Sequence, residues 1–280
     1  MDLKVTRYNV DDDGIGTLWL SRPGRGNSWT GRMHDEYRWI CAKLDDDPSV
    51  RVIVLTGEGD IFCGGADYRA LDHYASSDHY DPALSVDASQ PGYGVRPEFD
   101  ADMAWQLGLR TPMIAAINGS CAGIAVALAA FCDLRFAVED AKITTVAPKL
   151  GLPAEYGLSW ILPRLMGITY AADLILTGRV ATADELRHSG LFNRVLPREG
   201  FMEAVYEYAR LLTAASPAAV TTAKRQIWDD VLQASPAAAV EASKDLIDRH
   251  MQMPDYKERI AALMQRRAPR SGPVPPDTKP

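Results

Sequence analysis

The hydrophobic pattern predicts alternating strands and helices in the first two thirds of the chain. Residues 3–20 alternate apolar and polar side chains around a DDDG turn, which predicts a β-hairpin. Helical periodicity over residues 30–47 precedes a buried strand at Val50–Thr56, and strand-like runs recur at Met113–Ile117 and Leu134–Ala137. A helix through residue 130 separates the last two runs. This repetition predicts an α/β fold of stacked ββα units that share one core.

The pattern becomes purely helical after about residue 200. Four helices are predicted, over Phe201–Ala214, Ala218–Leu232, Pro236–Arg249 and Asp255–Arg267. Residues 72–100 are polar and rich in Pro, Gly, Ser and Asp, which predicts a long loop. The chain therefore divides into a core over 1–200, a helical region over 201–268 and a Pro-rich, disordered tail over 269–280.

Two segments of small residues are the main candidates for a site. Ile61–Asp67 (IFCGGAD) and Asn118–Val126 (NGSCAGIAV) each come after a strand-like run. Small residues let a ligand approach the backbone, and a helix that begins there directs free N–H groups at that ligand. Two such turns, brought together, would place two donors on one developing oxyanion. The alternative is a pair of tight turns with no chemical role.

Composition and charge exclude several other classes of protein. With 280 residues, 47% hydrophobic, the chain has the composition of an ordinary globular protein, and its net charge of −7 argues against nonspecific nucleic-acid binding. Met113–Cys132 carries no charge, but Asn118, Gly119, Ser120 and Gly123 interrupt it, so we expect no membrane span. The four cysteines lack metal-ligand spacing, and no export signal is evident, so we expect reduced thiols, no metal and a cytoplasmic location.

Six segments together resemble the crotonase family, also called the enoyl-CoA hydratase/isomerase family. They run in the family's order and span nearly the whole chain: Leu20–Pro23 (LSRP), Val52–Asp67 (VIVLTGEGDIFCGGAD), Pro112–Ala137 (PMIAAINGSCAGIAVALAAFCDLRFA), Leu150–Gly167 (LGLPAEYGLSWILPRLMG), Ala183–Leu196 (ADELRHSGLFNRVL) and Arg266–Pro269 (RRAP). The resemblance implies the crotonase spiral of ββα repeats with a C-terminal helical region. It also implies an acyl-CoA thioester as the substrate, with no separate cofactor.

The resemblance assigns roles to residues of the two turns. It implies that the backbone N–H groups of Ala66 and Ile124 form an oxyanion hole for the thioester carbonyl. Many relatives have glycine where this chain has Ile124, but a backbone donor tolerates a side chain that points away. The residues expected to border the bound thioester are Gly64, Asp67, Tyr68 and Gly123. For Asp67, capping of a following helix is the favoured role.

The acid–base residues depart from the hydratase pattern. Crotonase-type hydration uses two glutamates, and the matching positions hold Ala127 and Ala147, which cannot transfer a proton. Glu155 lies where some family members, including certain Δ3-Δ2-enoyl-CoA isomerases, place their acid or base. Burial among its apolar neighbours would raise the pKa of Glu155 towards a useful value. The alternative is an acid that only favours a helix N-terminus.

The resemblance also concerns CoA and assembly. Arg22 and Arg25 lie where relatives pass the CoA nucleotide, and Arg266 and Arg267 match a basic pair that approaches a CoA phosphate, sometimes across a subunit boundary. Ordinary surface charge is the alternative for all four arginines. The helical tail predicts self-association as a homotrimer or a dimer of trimers.

These features predict an acyl-CoA enzyme of isomerase or hydratase type, with Glu155 as acid/base and isomerisation favoured. Within the family, the alternatives are a hydratase that uses Glu155 with water, and a hydrolase or C–C lyase that acts through a thioester enolate. The alternative of another class is a noncatalytic acyl-CoA-binding protein. Loss of both hydratase glutamates favours that alternative, whereas the presence of Glu155 counts against it.

Overall fold

Two sheets form the core of the molecule. The computed structural model describes residues 1–68, 97–270 and 272. In that part of the chain, a six-stranded sheet has the order β1-β2-β3-β5-β7-β10, and β1 and β2 form the predicted antiparallel hairpin. All its other neighbours are parallel. Its strands are β1 (Thr6–Val10), β2 (Ile15–Leu20), β3 (Val52–Gly57), β5 (Met113–Ile117), β7 (Leu134–Val138) and β10 (Arg194–Leu196).

A second sheet of short strands, in the order β4-β6-β8-β9, alternates with the first along the chain. Its strands are β4 (Ile61–Cys63), β6 (Ser120–Ala122), β8 (Lys142–Thr144) and β9 (Ala181–Thr182). The chain passes from β3 to β4, from β5 to β6 and from β7 to β8, so strands of the two sheets are paired in sequence. This repetition confirms the predicted ββα units. The two candidate turns, however, follow β4 and β6 rather than the longer strands that the pattern revealed.

The corners between the two sheets require glycine. A Cβ atom on Gly119 would lie 1.9 Å from the carbonyl oxygen of Asp60, and one on Gly57 would lie 2.1 Å from that of Ile61. The Asn118 side chain bonds across this contact, since Nδ2 donates to the carbonyls of Gly57 and Gly59 at 2.9 and 2.7 Å. The first corner thus holds the second corner in place.

Seven α-helices are described outside the sheets, and their bounds are close to those predicted. Thr30 caps the first helix by accepting from the N–H of Met33 at 3.2 Å. The helices are α1 (Gly31–Asp46), α2 (Ile124–Ala130), α3 (Leu158–Thr177), α4 (Phe201–Ala214), α5 (Pro217–Val231), α6 (Pro236–Gln252) and α7 (Pro254–Met264). Of the predicted loop 72–100, the structure describes residues 97–100 only, where Pro97–Phe99 is a 3-10 helix. The predicted tail also lies outside the described residues, apart from 269, 270 and 272.

A buried ion pair joins the helical region to the core. Lys224 of α5 lies 2.8 Å from Asp133, which follows α2, and both side chains are largely buried. The other partners of Asp133 are the N–H of Met113, at 2.7 Å, and the indole of Trp228, at 3.3 Å. Asp133 therefore has a structural role. In the ranges that the structure describes, no helix is long and apolar enough to cross a membrane.

Candidate active site

The two predicted turns are adjacent in space. Strands β4 and β6 are parallel neighbours, and Cys63 is paired with Cys121 in their register. The chain leaves both strands at the same edge, since the carboxyl ends of parallel strands meet there. A Cβ atom on Gly65 would lie 3.0 Å from the carbonyl oxygen of Ala122, and Gly65 has a φ of +98°. A glycine is therefore needed where one turn passes the other.

The backbone around Ala66 leaves its N–H on the side away from Trp29. Trp29 forms a parallel bridge with Ala66, in which the N–H of Trp29 donates to Gly65 and the N–H of Asp67 donates to Trp29, at 2.8 and 2.9 Å. Successive N–H groups of an extended chain point to opposite sides, so that of Ala66 points away from Trp29. It has no acceptor among the described residues.

The second candidate donor lies at the start of α2. Ile124 is the first residue of this helix, so its N–H has no acceptor within the helix. Gly123 precedes it with a φ of +55°, and the N–H of Gly123 is used by β8, where it donates to Thr144 at 2.9 Å. The Ile124 side chain is buried, 5% exposed, so its bulk packs into the core.

A third turn, after β8, lies beside the second. A Cβ atom on Gly123 would lie 3.5 Å from the Val146 side chain. Ala147 follows Val146 and begins a 3-10 helix, Ala147–Leu150, with its methyl group buried. Ala127 is also buried, one turn into α2. Both alanines are therefore buried close to the second and third turns in sequence, and neither carries a group that can transfer a proton.

Glu155 lies just before α3, and its carbonyl accepts from the N–H of Leu158 at 2.9 Å. The segment packs on the end of α2, since a Cβ atom on Gly157 would lie 3.3 Å from the Phe131 ring. Glu155 is half-buried, and its apolar surroundings are more open than the sequence led us to expect, because Leu152 is 37% exposed while Leu158 is buried.

Comparison with known proteins agrees with the family resemblance of the sequence motifs over nearly the whole chain. The family model described as enoyl-CoA hydratase/isomerase matches residues 11–271. The chain belongs to the enoyl-CoA hydratase/isomerase family. A Mycobacterium tuberculosis protein named probable enoyl-CoA hydratase EchA12 is 32% identical over 260 residues, which cover 91% of this chain and 88% of that protein.

Other similar proteins differ in their named activity. The Arabidopsis thaliana peroxisomal Delta(3,5)-Delta(2,4)-dienoyl-CoA isomerase is 29% identical, with 96% of both chains covered. The solved structure of a probable enoyl-CoA hydratase/isomerase from Mycobacterium abscessus is 32% identical, with a TM-score of 0.81, and it covers 96% of this chain and 100% of its own. An enoyl-CoA hydratase from Bacillus anthracis, 26% identical, has a TM-score of 0.82 over 96% of this chain and 99% of its own.

Arg22, which the resemblance to the family predicts to contact CoA, forms its ion pair and hydrogen bonds within the protein. Its guanidinium lies 3.0 Å from the Asp67 carboxylate and also donates to the carbonyl of Ser28, at 2.6 Å. The Ser28 hydroxyl donates to the same carboxylate at 3.2 Å. These contacts join the segment before α1 to the first turn, so Arg22 and Asp67 stabilise the position of that turn.

The remaining candidate residues lie at two distant places. Arg25 and Tyr68 are exposed near the first turn. Arg266 and Arg267 follow α7, and Arg267 is paired with Glu258 at 2.5 Å. The chain after α7 contacts Arg51, whose guanidinium donates to the carbonyl of Gly272, and burial lowers the pKa of Arg51 despite the nearby Asp255 of α7. Arg51 precedes β3, so α7 lies where parallel strands begin, whereas the turns lie where strands end. A single chain therefore does not bring Arg266 and Arg267 to the turns.

The cysteines near the turns are unsuited to nucleophilic catalysis. Burial raises the pKa of the Cys63 and Cys132 thiols to about 12, and it raises the pKa of Cys41 and Cys121 as well. Thiols with such pKa values stay protonated near neutral pH, and the thiolate is the reactive form. Among the described residues, no group of three His, Cys, Asp or Glu side chains is placed to hold a metal ion.

The bridge between Trp29 and Ala66 has no counterpart among the sequence predictions. Trp29 is 6% exposed and lies in the short segment before α1, outside both candidate turns. Residues that pair at a single bridge leave no periodic signal, so hydrophobic patterns do not reveal them. The structure therefore adds Trp29 to the residues that shape the first turn, since its backbone is bonded on either side of Ala66.

Proposed function

We propose that this protein shifts the double bond of an enoyl-CoA thioester by proton transfer. In a 3-enoyl-CoA, the Glu155 carboxylate removes a proton from C2, and the electron pair moves into the thioester to give a dienolate. The N–H groups of Ala66 and Ile124 stabilise the enolate oxygen. Protonated Glu155 then returns the proton to C4, and the double bond lies between C2 and C3. Atoms and charges balance with no other reactant.

The observation that carries the proposal is the combination of Glu155 with two buried alanines beside the turns. Ala127 and Ala147 are buried and stand at the two positions where the hydratase pattern has glutamates, and an alanine side chain cannot activate water. One carboxylate at Glu155, at the junction of α2 and α3, is sufficient for isomerisation because the same group removes and returns the proton.

Hydration of a 2-enoyl-CoA is the second candidate, because the similar Mycobacterium tuberculosis protein is named a hydratase. In that reaction Glu155 would activate water for addition to C3. A single carboxylate would then also have to protonate C2. In the hydratase pattern two glutamates share these two roles, so hydration by a single carboxylate is the less favoured candidate.

We further propose that CoA binds between subunits. Arg25 is exposed beside the first turn, while Arg266 and Arg267 lie at the other end of the same chain. In a homotrimer or a dimer of trimers, Arg266 and Arg267 of one subunit would approach the CoA held by its neighbour. Acyl-CoA binding to a monomeric form would then be weaker than binding to the assembly.

Substitution of Glu155 by Gln tests the proposed acid–base role. The change preserves side-chain size but removes the proton acceptor, so kcat should fall by about 10²–10⁴-fold while KM changes little. Turnover of a 3-enoyl-CoA is followed by the ultraviolet absorbance of the conjugated thioester. Glu199→Gln is the matched control, because Glu199 is an exposed glutamate outside the site. Wild-type turnover in Glu155→Gln would assign Glu155 a structural role only.

A further inference from the structure

The first turn of α1 holds a buried histidine whose ring nitrogen is not hydrogen-bonded. His34 is 3% exposed, and its Nε2 atom has no hydrogen-bond partner among the described residues. Trp105 is 2% exposed, and its Nε1 atom also has no hydrogen-bond partner among the described residues. Buried donors and acceptors are nearly always paired, so each unpaired one in a folded protein needs an explanation.

The charged groups around His34 come from two elements. The Asp102 carboxylate lies 4.0 Å from Nε2, which is too long for a hydrogen bond. Arg38 lies in α1, one helical turn after His34. Burial lowers the pKa of His34 to about 4, with Arg38 acting in the same direction and Asp102 opposing it. The ring is therefore neutral near pH 7, with one nitrogen that donates and one that accepts.

Trp29 connects this histidine to the candidate oxyanion site. The centroid of the His34 ring lies 6.0 Å from that of Trp29, in an edge-to-face arrangement. The backbone of Trp29 is bonded on both sides of Ala66. Trp29 therefore contacts His34 through its ring and, through its backbone, the turn at which the thioester carbonyl is proposed to bind.

We propose that His34 and Asp102 together bind a hydroxyl group on the acyl chain, so that hydroxylated acyl-CoA thioesters are the preferred substrate class. This inference rests on the proposed function, because it concerns the same site. A hydroxyl oxygen between the two side chains accepts from His34 Nε2–H and donates to the Asp102 carboxylate. Asp102 is 41% exposed whereas Nε2 of His34 is buried, so a hydroxyl group would reach the pair from the side of Asp102. His34 is thus a specificity-determining residue for the proposed reaction.

Other acyl groups fit this pair less well. A plain alkyl chain would make no hydrogen bond to His34, and it would displace water from the half-exposed Asp102 carboxylate without replacing its hydrogen bonds. A second carboxylate would be repelled by Asp102, and a ketone can accept from His34 but offers no proton to the carboxylate. Only a group that both donates and accepts satisfies both partners. Sites that hydrogen-bond a substrate hydroxyl discriminate strongly against analogues that lack it.

Calorimetry with saturated acyl-CoAs tests the inference without turnover. The probes are alkanoyl-CoAs of six to ten carbons and their monohydroxy derivatives, with the hydroxyl at each position from C4 to the chain end. The 3-hydroxy compounds are left out, since they are products of hydration. For at least one position, we expect the hydroxylated thioester to bind the wild-type protein ten-fold or more tightly than the unsubstituted chain.

Three variants assign this preference to the two side chains. His34→Phe keeps the ring against Trp29 and should reduce the preference to about one-fold, and Asp102→Ala, at a half-exposed site, should do the same in a protein that stays folded. Tyr37→Phe is the matched control: Tyr37 is buried in the same cluster, but its hydroxyl already donates to Gln106, at 2.8 Å, so the preference should remain.

The outcomes separate this inference from the proposed function. Equal affinity for hydroxylated and plain chains at every position overturns the hydroxyl site and leaves the acyl-CoA site intact. A preference that survives in both His34→Phe and Asp102→Ala also overturns it. Absence of binding by every CoA thioester, plain chains included, overturns the proposed function and the inference together.

Discussion

At the scale of single residues, chemistry is decided by very few side chains. In the proposed mechanism Glu155 is the acid/base, and Ala127 and Ala147 stand where the hydratase pattern has glutamates. The sequence singles out all three positions, because each has a fixed spacing from a glycine of the two matching motifs. The exposure of Leu152 was not predictable in the same way, since it depends on what packs against the segment.

His34 gives a prediction about stability and pH. The ordinary pKa of a histidine side chain is 6.5, and burial lowers that of His34 to about 4 in the folded protein. Between these values the unfolded chain binds more protons, so stability rises with pH there and is lost as pH falls from 6.5 to 4. At about 1.4 kcal/mol per pKa unit, His34 accounts for a loss of about 3 kcal/mol.

Urea denaturation measures this loss in the wild type and in His34→Phe. The groups that face the ring, Asp102 and Arg38, are present in both proteins, so the difference between the two pH profiles isolates His34. We expect the unfolding free energy of the wild type to fall more steeply below pH 6.5. Parallel profiles would show that His34 titrates normally in the folded state.

At the scale of elements, the long strands and helices were predictable and the short strands were not. The helix Phe201–Ala214 and the strand Met113–Ile117 have the predicted bounds. Strands β4 and β6 have only three residues each, too few for a repeating pattern, so the sequence pattern does not separate them from the turns. Their existence follows from the pairing between distant segments, which local periodicity does not report.

Close packing at the sheet corners makes Gly119 intolerant of any side chain. A Cβ atom there would overlap the backbone of Asp60, and backbone cannot move aside as the end of a side chain can. We expect Gly119→Ala to destabilise the protein by about 3 kcal/mol, at the upper end for an overpacked core site, and to displace the second turn.

Gly24→Ala is the control for Gly119→Ala. A Cβ atom on Gly24 has no neighbour within 4 Å, so this variant should unfold within about 0.5 kcal/mol of the wild type. Thermal unfolding of the two variants measures the contrast. Equal stability of both would mean that the corner between β5 and β6 is looser than the structure shows.

At the scale of the whole molecule, the last three helices leave apolar side chains uncovered. Exposed apolar side chains on neighbouring helices are typical of interaction surfaces when they lie together. The most exposed of these side chains, from 54% to 78%, are Ile227, Val240, Ile247, Leu263 and Met264. We expect these helices to contact other copies of the chain.

Light scattering tests the proposed assembly. We expect three or six times the mass of one chain at working concentrations, as a homotrimer or a dimer of trimers with closed symmetry. Replacement of Ile247 and Leu263 by Glu should shift the mass towards that of a single chain and weaken CoA binding. A monomeric wild type that binds acyl-CoA fully would contradict the proposed role of Arg266 and Arg267 of a neighbouring subunit.

Family membership and the spiral fold could be predicted because their motifs are distributed along the whole sequence. The place of Arg266 and Arg267 could not, since a motif gives order along the chain but not the distance between two ends of a folded molecule. Arg22 shows the same limit, because its partner Asp67 lies in another motif and only the fold brings them together.

The most direct test of the central claim compares two reactions of the wild-type protein. A 3-enoyl-CoA and the 2-enoyl-CoA of equal chain length are incubated separately, and the conjugated thioester is followed by its ultraviolet absorbance. We predict that absorbance grows with the 3-enoyl-CoA, while hydration of the 2-enoyl-CoA is slower by about 10²-fold or more, because Ala127 and Ala147 supply no carboxylate. Rapid loss of absorbance from the 2-enoyl-CoA, with no isomerisation of the other substrate, would contradict it.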